Sequence, residues 1–253
     1  MEQCRLCGEF RDLCNSHALP DSAFRRLLRE GDGKAVSLMD DKDTPVRYSS
    51  DSWGAKLLCS SCEDKLNQAY DKFGIGVLTG QKCSVLRGNS GVTFRSIDRQ
   101  RFRMFFLSLV WRISISDHEN YQNIKLPHNW EQILRAALQS GSKVRSSEFT
   151  VTIYRLRDST PEGFSFDDLR GLIPSPFGRA FDRVISICFV IYGFFVEIFL
   201  PRLPARLSNR PGVLTGNMSV FFTPYLEIMD VPELVSLMAS GLRKHNHGLS
   251  TVG

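Results

Sequence analysis

Apolar residues recur at helical spacing in the middle of the chain. Between residues 98 and 116 they fall at i, i+3, i+4, i+7, i+8 and i+11, starting from Phe102. Other large apolar side chains, including Trp111, occupy the opposite side, so the pattern predicts a helix that is buried over most of its surface. The same spacing across residues 128–139 predicts a second, amphipathic helix.

In the second half of the chain the helical spacing of apolar residues gives way to patterns typical of strands. In residues 149–154 the apolar Phe149, Val151 and Ile153 alternate with Thr150, Thr152 and Tyr154, which predicts a strand. Residues 219–228, which are rich in aromatic side chains, are a second strand candidate. The run 184–200 is almost wholly apolar, but its 17 residues are fewer than the roughly 20 that span a membrane, and it contains Gly193 and Glu197. We expect two short buried strands that meet near Gly193; a membrane helix or hairpin is the alternative.

The remaining elements are predicted from capping and breaking residues. A short helix is expected over residues 21–31, and a longer one from residue 62 to Gly74. Residues 74–97 are expected to be connecting strand or loop, and a final helix opens at Asp230. Residues 31–56 are expected to form a loop-like insertion, which contains the charge cluster Asp40, Asp41, Lys42 and Asp43.

Composition limits the class of protein. The 253 residues, 42% hydrophobic and 11% aromatic, exclude a disordered chain and allow one or two domains around a sizeable core. The net charge of +5 permits a nucleic-acid partner without requiring one. The opening segment MEQCRLCGEF lacks an apolar h-region, so we expect no signal peptide, a cytoplasmic location and no membrane partner.

The cysteines change the picture most. Four of the seven form two C-x2-C pairs: Cys4, Cys7, Cys59 and Cys62. In a chain without an export signal this pattern indicates metal rather than disulfides. Each pair forms a tight knuckle that directs two sulfurs at one ion, and together they make a tetrahedral zinc site; four free core cysteines would not explain the paired spacing. The second pair opens a helix, where backbone N–H groups favour thiolates.

The other three cysteines have weaker signals. Cys14 lies seven residues after Cys7 and could replace a ligand, but we expect it to be a small core residue. Cys83 and Cys188 are interpreted as isolated hydrophobic residues.

His17 lies in the string LCNSHALP, ten residues after the first knuckle. With the later string LLCSSCEDKLN, the segment resembles the HNH, or His-Me finger, endonucleases. In that family a C-x2-C knuckle precedes a strand that ends in histidine, and a second C-x2-C opens a helix. The resemblance covers residues 1–73 and implies a treble-clef fold, also called ββα-metal, around a structural zinc ion.

The resemblance also implies a mechanism. His17 would be the general base that deprotonates the attacking water, and Glu63 and Asn67 would hold a catalytic Mg²⁺ or Mn²⁺ ion. Two positions differ from the family pattern: Ser16 stands where aspartate is common, and Glu63 where histidine is common. The alternative is a catalytically inactive zinc module that binds nucleic acid or a protein partner in a larger complex.

Arginines cluster around the start of the long central helix. Arg99, Arg101 and Arg103 would destabilise a helix N-terminus, and a nucleic-acid phosphate backbone would offset this cost. The alternative is that they are solvated or paired with acidic residues. Arg112 lies in a strongly apolar stretch and is predicted to be buried and paired. The string His245, Asn246 and His247 spells the HNH letters in a polar tail and receives no role.

Together these features predict an α+β protein. We expect a zinc domain over residues 1–75, a helical and mixed β domain over 76–245, and a disordered tail over 246–253. MFFLSLVWRISIS followed by NWEQILRAAL is similar to the second half of uncharacterised bacterial proteins that begin with this zinc segment. The function expected is a metal-dependent nuclease that cuts DNA, with RNA as an alternative, in a bacterial anti-phage defence setting or complex.

Overall fold

The computed structural model describes residues 1–30, 35–37, 47–49, 52–181, 184–216 and 218–248. Three features of the sequence analysis lie outside these residues: the end of the first helix at Gly31, the charge cluster from Asp40 to Asp43, and the last five residues of the predicted tail.

The N-terminal part consists of short paired strands and two helices, one between the strands and one after them. Its elements are β1 (Glu2–Gln3), β2 (Phe10–Arg11), β3 (Leu13–His17), α1 (Asp21–Glu30), β4 (Ala35–Ser37), β5 (Arg47–Ser49), β6 (Gly54–Cys59) and α2 (Ser60–Leu66). Strand β1 pairs antiparallel with β2, and β3 pairs antiparallel with β6. Strands β3 and β6 are thus neighbours in space although α1, β4 and β5 separate them in sequence. Strand β6 leads directly into α2.

Helix α2 does not end where the sequence predicted. It continues through one π-helical turn, Asn67–Asp71, into α3 (Lys72–Leu78). The predicted start at residue 62 is two residues late, and the predicted end at Gly74 is wrong. The domain boundary predicted at residue 75 falls within α3.

Seven strands form one mixed sheet. They are β7 (Ser84–Arg87), β8 (Gly91–Arg95), β9 (Thr150–Arg157), β10 (Phe177–Phe181), β11 (Val184–Ile191), β12 (Phe194–Leu200) and β13 (Val220–Glu227). Their spatial order is β10-β11-β12-β9-β13-β8-β7. Every neighbouring pair is antiparallel except β9 and β13, where Tyr225 lies beside Arg155 in parallel register.

The apolar run 184–200 forms β11 and β12, which are joined at Tyr192 and Gly193. The prediction of two buried strands with a bend near Gly193 is confirmed. Among the described residues, no helix has both the length and the apolar character needed to cross a membrane.

Four further helices complete the fold: α4 (Arg99–Ile115), α5 (His128–Ser140), α6 (Phe166–Gly171) and α7 (Pro232–Asn246). Helix α4 is buried from Phe102 to Ile115, as its apolar pattern predicted, and it packs against both α3 and α5. One buried apolar cluster extends from Cys4 to Phe221, so the packing passes from the N-terminal strands through α4 to the sheet. The mixed α+β class predicted from the sequence is confirmed.

The close contact between α3 and α4 explains why Gly74 does not end its helix. A Cβ atom at Gly74 would lie 2.2 Å from the ring of Phe105, so only glycine lets the two helices approach this closely. Glycine is commonly a helix breaker, but at position 74 it is required by packing against Phe105 of α4, which is distant in the sequence.

Replacing Gly74 with alanine is expected to destabilise the fold by up to about 2 kcal/mol. Overpacking a core costs about 1–3 kcal/mol, and alanine recovers about 1 kcal/mol of this in a helix interior. Gly76→Ala is the matched control: a Cβ there would also lie 2.2 Å from a neighbour, but that neighbour is the Cγ atom of Lys82, whose exposed side chain can move aside. Equal denaturant midpoints for the two variants would contradict a tight α3–α4 contact.

Candidate functional site

The four cysteines of the two C-x2-C pairs lie together. The sulfur atoms of Cys4, Cys7, Cys59 and Cys62 are all within 4.8 Å of one another. A tetrahedral Zn²⁺ ion with Zn–S bonds of about 2.3 Å places its sulfurs about 3.8 Å apart, so this cluster could hold a metal ion such as zinc. Cys7 is half-buried and the other three are buried. Four thiols are also the donor set that favours zinc over hard cations.

Backbone hydrogen bonds shape the first knuckle. The Cys4 N–H donates to the Glu9 carbonyl at 2.9 Å, and the Gly8 N–H donates to the Cys4 carbonyl at 2.8 Å. Gly8 adopts a φ of +80°, which explains why glycine follows the first C-x2-C. The Cys59 N–H donates to the Cys4 sulfur at 3.4 Å and so links the two pairs.

The thiols of the cluster differ in acidity. Burial opposes ionisation of Cys59, but hydrogen bonds from the Ser61 hydroxyl and the Cys62 backbone lower its pKa to about 6. Burial raises the pKa of Cys62 and of Cys7. Cys59 therefore ionises more readily than Cys7 and Cys62, and binding of a metal ion would draw protons from those two.

A cavity of about 440 Å³ lies beside α2 and the π-helical turn. It is lined by all three residues that the sequence analysis assigned to catalysis: His17, Glu63 and Asn67. They come from the end of β3, from α2 and from the first residue of the π-helical turn. The fold therefore brings them to one space, although the sequence separates His17 from the other two.

The His17 ring is fixed by one side-chain contact. Its Nε2 atom and the Ser52 hydroxyl are 2.7 Å apart, and the ring makes no other hydrogen bond to the described residues. Ser16, which stands where the HNH pattern has aspartate, does not line the cavity. It is fully buried, and its hydroxyl accepts a hydrogen bond from the Leu58 N–H at 3.2 Å.

Sequence analysis missed Asp71, which lines the same cavity. It receives two hydrogen bonds from Arg112, at 3.0 and 2.6 Å, and both side chains are buried. Burial alone would lower the pKa of Arg112, but the carboxylate of Asp71 raises it above its usual value. The prediction that Arg112 is buried and paired is confirmed. Asp71 lies one turn beyond Asn67 on the same helix, a spacing that could have identified it.

Arg112 also connects the pair to His17. It donates from Nη1 to the His17 carbonyl at 3.1 Å, so one guanidinium joins the end of β3 to the π-helical turn. Glu63 contributes a different feature: its Oε2 atom is buried and has no hydrogen-bond partner among the described residues. A carboxylate oxygen without a partner, in a cavity that an asparagine side chain also lines, suits a hard divalent cation.

Arg99, Arg101 and Arg103 do not line this cavity. Each donates to backbone carbonyls of other segments: Arg99 to Thr215 and Val220, Arg101 to Gln68 and Ala69, Arg103 to Val144, Arg145 and Phe149. Arg103 is only 3% exposed, so a nucleic acid could reach it only if the packing opened. Contact of the three arginines with nucleic acid stays a prediction.

Comparison of the chain with protein-family models, with curated proteins and with solved structures found no match. The likeness to the HNH endonucleases therefore rests on the residues and spacings of this chain alone.

Proposed function

We propose that this protein is a metal-dependent nuclease that hydrolyses phosphodiester bonds in DNA, with zinc bound by the four cysteines of a treble-clef fold. One observation carries the proposal: His17, Glu63 and Asn67, selected from the sequence for a single reaction, line one cavity. The succession of knuckle, β3–β6 pair and α2 supports the treble clef. Bacterial anti-phage defence in the cytoplasm is the setting that the resemblance implies.

The residues present suit a hard divalent ion such as Mg²⁺ or Mn²⁺. Glu63 offers an unpartnered carboxylate oxygen, and Asn67, four residues later, offers an amide oxygen in the same cavity. When bound, the ion would stabilise negative charge on the phosphate and on the leaving oxygen. Asp71 is held by Arg112 and is therefore assigned to positioning rather than to the ion.

His17 acts as the general base in this proposal. We assign the tautomer in which Nε2–H donates to the Ser52 hydroxyl, which leaves the Nδ1 lone pair able to accept a proton from water. Arg112 holds the His17 carbonyl and so fixes the end of β3. Lys72 also lines the cavity, and its positive charge favours a phosphodiester, whereas the charge of Arg25 is paired with Asp21. RNA offers the same phosphate chemistry and is the second substrate to test.

A specific observation favours a second function, a non-catalytic zinc module that binds nucleic acid or a protein partner. The Ser16 hydroxyl is already engaged by the Leu58 N–H and is buried away from the cavity, so it is not available as an ion ligand. The catalytic ion would then depend on Glu63 and Asn67 alone. Cleavage activity separates the two functions.

Replacing His17 with alanine is expected to lower the rate of DNA cleavage by about 10²- to 10⁴-fold, the usual contribution of a general base. The measurement is nicking of supercoiled plasmid with Mg²⁺ or Mn²⁺, with single-stranded RNA as a parallel substrate. His128→Ala is the matched control, because His128 is exposed at the start of α5 and outside the cavity. Zinc content of all three proteins shows that the cysteine cluster is retained.

Two results would count against the nuclease. Cleavage by His17→Ala at the wild-type rate would remove the assigned base. Absence of cleavage by the wild type with either ion and either substrate would favour the non-catalytic module.

A further inference from the structure

A second cavity, of about 520 Å³, lies between β8, α6 and the turn that joins β11 to β12. Among the described residues it shares no lining residue with the His17 cavity. Its volume falls within the range of about 300–1,000 Å³ typical of sites for small organic ligands. Its lining combines three arginines with several aromatic rings, so its chemistry is that of an anion site with apolar walls.

Arg155 forms the floor of this cavity. It is only 7% exposed, and its terminal nitrogens donate to the carbonyls of Tyr192 at 2.8 Å and Phe166 at 3.1 Å. Its guanidinium lies over the rings of Phe166 and Phe194, at 5.2 and 5.1 Å from their centroids. No carboxylate pairs with it in the described part of the chain. A guanidinium carries five N–H donors, and these two carbonyls engage only two of them.

The backbone makes room for this buried cation. A Cβ atom at Gly193 would lie 1.9 Å from Nη1 of Arg155, and Gly193 adopts a φ of +73°. The bend that the sequence placed at Gly193 therefore has a second role, because any larger residue would displace the guanidinium.

Two other arginines add positive charge to the cavity. The side chain of Arg87 is exposed and makes no hydrogen bond or ion pair with the described residues, whereas Arg170 pairs with Asp167 at 3.3 Å. The lining thus holds three cations and one anion. Burial, followed by the nearby positive charges of Arg170 and Arg87, lowers the pKa of Arg155 to about 10. A bound anion would relieve both the desolvation and the repulsion.

Aromatic rings stand at the mouth of the cavity. Phe166 is 44% exposed, and its ring lies 5.7 Å from that of Tyr225 at an angle of 33°. Tyr225 is half-buried and has the Arg157 guanidinium over its ring, 5.1 Å from the centroid. The exposed part of Phe166 and the adjoining edge of Tyr225 are therefore the aromatic surface against which a planar base can stack. Arginine side chains suit the phosphate of a nucleotide, and an aromatic ring suits its base.

We propose that this cavity binds a nucleoside phosphate, with the phosphate between Arg87 and Arg155 and the base on Phe166 and Tyr225. The proposal does not depend on nuclease activity, since the site lies apart from His17 and no step of the cleavage reaction passes through it.

The test is calorimetric titration of the full-length protein with each of the four ribonucleoside 5′-monophosphates, without added divalent metal. Inorganic phosphate and adenosine serve as probes for each half of the site. The tightest nucleotide is expected to bind at least about tenfold more strongly than either half, because only it engages both the arginines and the rings. Arg87→Ala is expected to weaken this binding by about tenfold or more, the usual effect of losing a charged hydrogen bond.

Phe166→Ala is expected to weaken nucleotide binding and to leave the binding of inorganic phosphate unchanged. Matched controls are Arg202→Ala and Phe181→Ala, which alter an exposed arginine and an exposed phenylalanine outside the cavity. Absence of nucleotide binding, equal affinity for nucleotide and inorganic phosphate, or unchanged affinity in both Arg87→Ala and Phe166→Ala would each overturn the proposal.

Discussion

Replacing Cys4 with serine is expected to abolish zinc binding and to unfold the N-terminal part of the chain. Cys4 is fully buried, and its sulfur accepts the Cys59 N–H that connects the two C-x2-C pairs. Structural zinc sites contribute about 10–16 kcal/mol of apparent binding energy to folding, which exceeds the stability of most single domains. The measurement is zinc content by mass spectrometry, together with a thermal melt followed by circular dichroism.

Cys14→Ser is the matched control for this experiment. Cys14 is half-buried in β3 and does not belong to the four-cysteine cluster. This variant should keep one zinc ion per chain and melt within a few degrees of the wild type. The metal centre would be wrong if Cys4→Ser also retained one zinc ion and melted together with Cys14→Ser.

Replacing Arg112 with methionine is expected to destabilise the fold by about 3–5 kcal/mol, the cost of leaving a buried charge without its partner. Asp71 would remain buried after losing both of its hydrogen bonds to the guanidinium. The double variant Arg112→Met with Asp71→Leu should recover most of this loss, because apolar pairs often replace buried ion pairs without cost. Urea denaturation of the three proteins measures these differences.

The same variants separate positioning from stability. The double variant restores packing but lacks the bond from Arg112 to the His17 carbonyl, so its DNA cleavage should stay low while its stability recovers. Arg112 would have a structural role alone if cleavage recovered in parallel with stability. A double variant as destabilised as the single one would contradict the expected recovery and show that the ion pair outweighs the cost of its own desolvation.

Local patterns were sufficient to predict most individual elements. Periodicity identified α4 and its buried faces, and the length of the apolar run, with Gly193 inside it, separated two strands from a membrane helix. The isolated charge in α4 predicted a buried and paired Arg112. These features depend on neighbours within a few turns, and the sequence shows such neighbours directly.

Features that depend on distant contacts could not be predicted in this way. The packing of Phe105 against Gly74, inside a helix that continues to Leu78, involves two residues far apart in the sequence, and the π-helical turn has no local breaker. Arg99, Arg101 and Arg103 resemble a phosphate-binding row in the sequence, but their acceptors are carbonyl groups on segments that the chain order does not reveal.

The candidate sites also differ in whether a local sequence pattern or distant contacts define them. The four cysteines could be identified as one group from the sequence because they occur in two C-x2-C pairs. The arginines of the second cavity lie on β7, on β9 and in α6, with no spacing in common. Only the assembled sheet brings Arg87, Arg155 and Arg170 together, so no motif could have indicated this site.

The position of β13 has a consequence for the order in which the chain can fold during synthesis. It is the last strand of the described chain, yet it lies inside the sheet between β9 and β8. Translation produces β8 and β9 well before β13, so β8 and the end of β9 from Arg155 to Arg157 keep an unpaired edge until Glu227 has left the ribosome. Chains that terminate before Val220 would keep these edges permanently, and such edges promote aggregation.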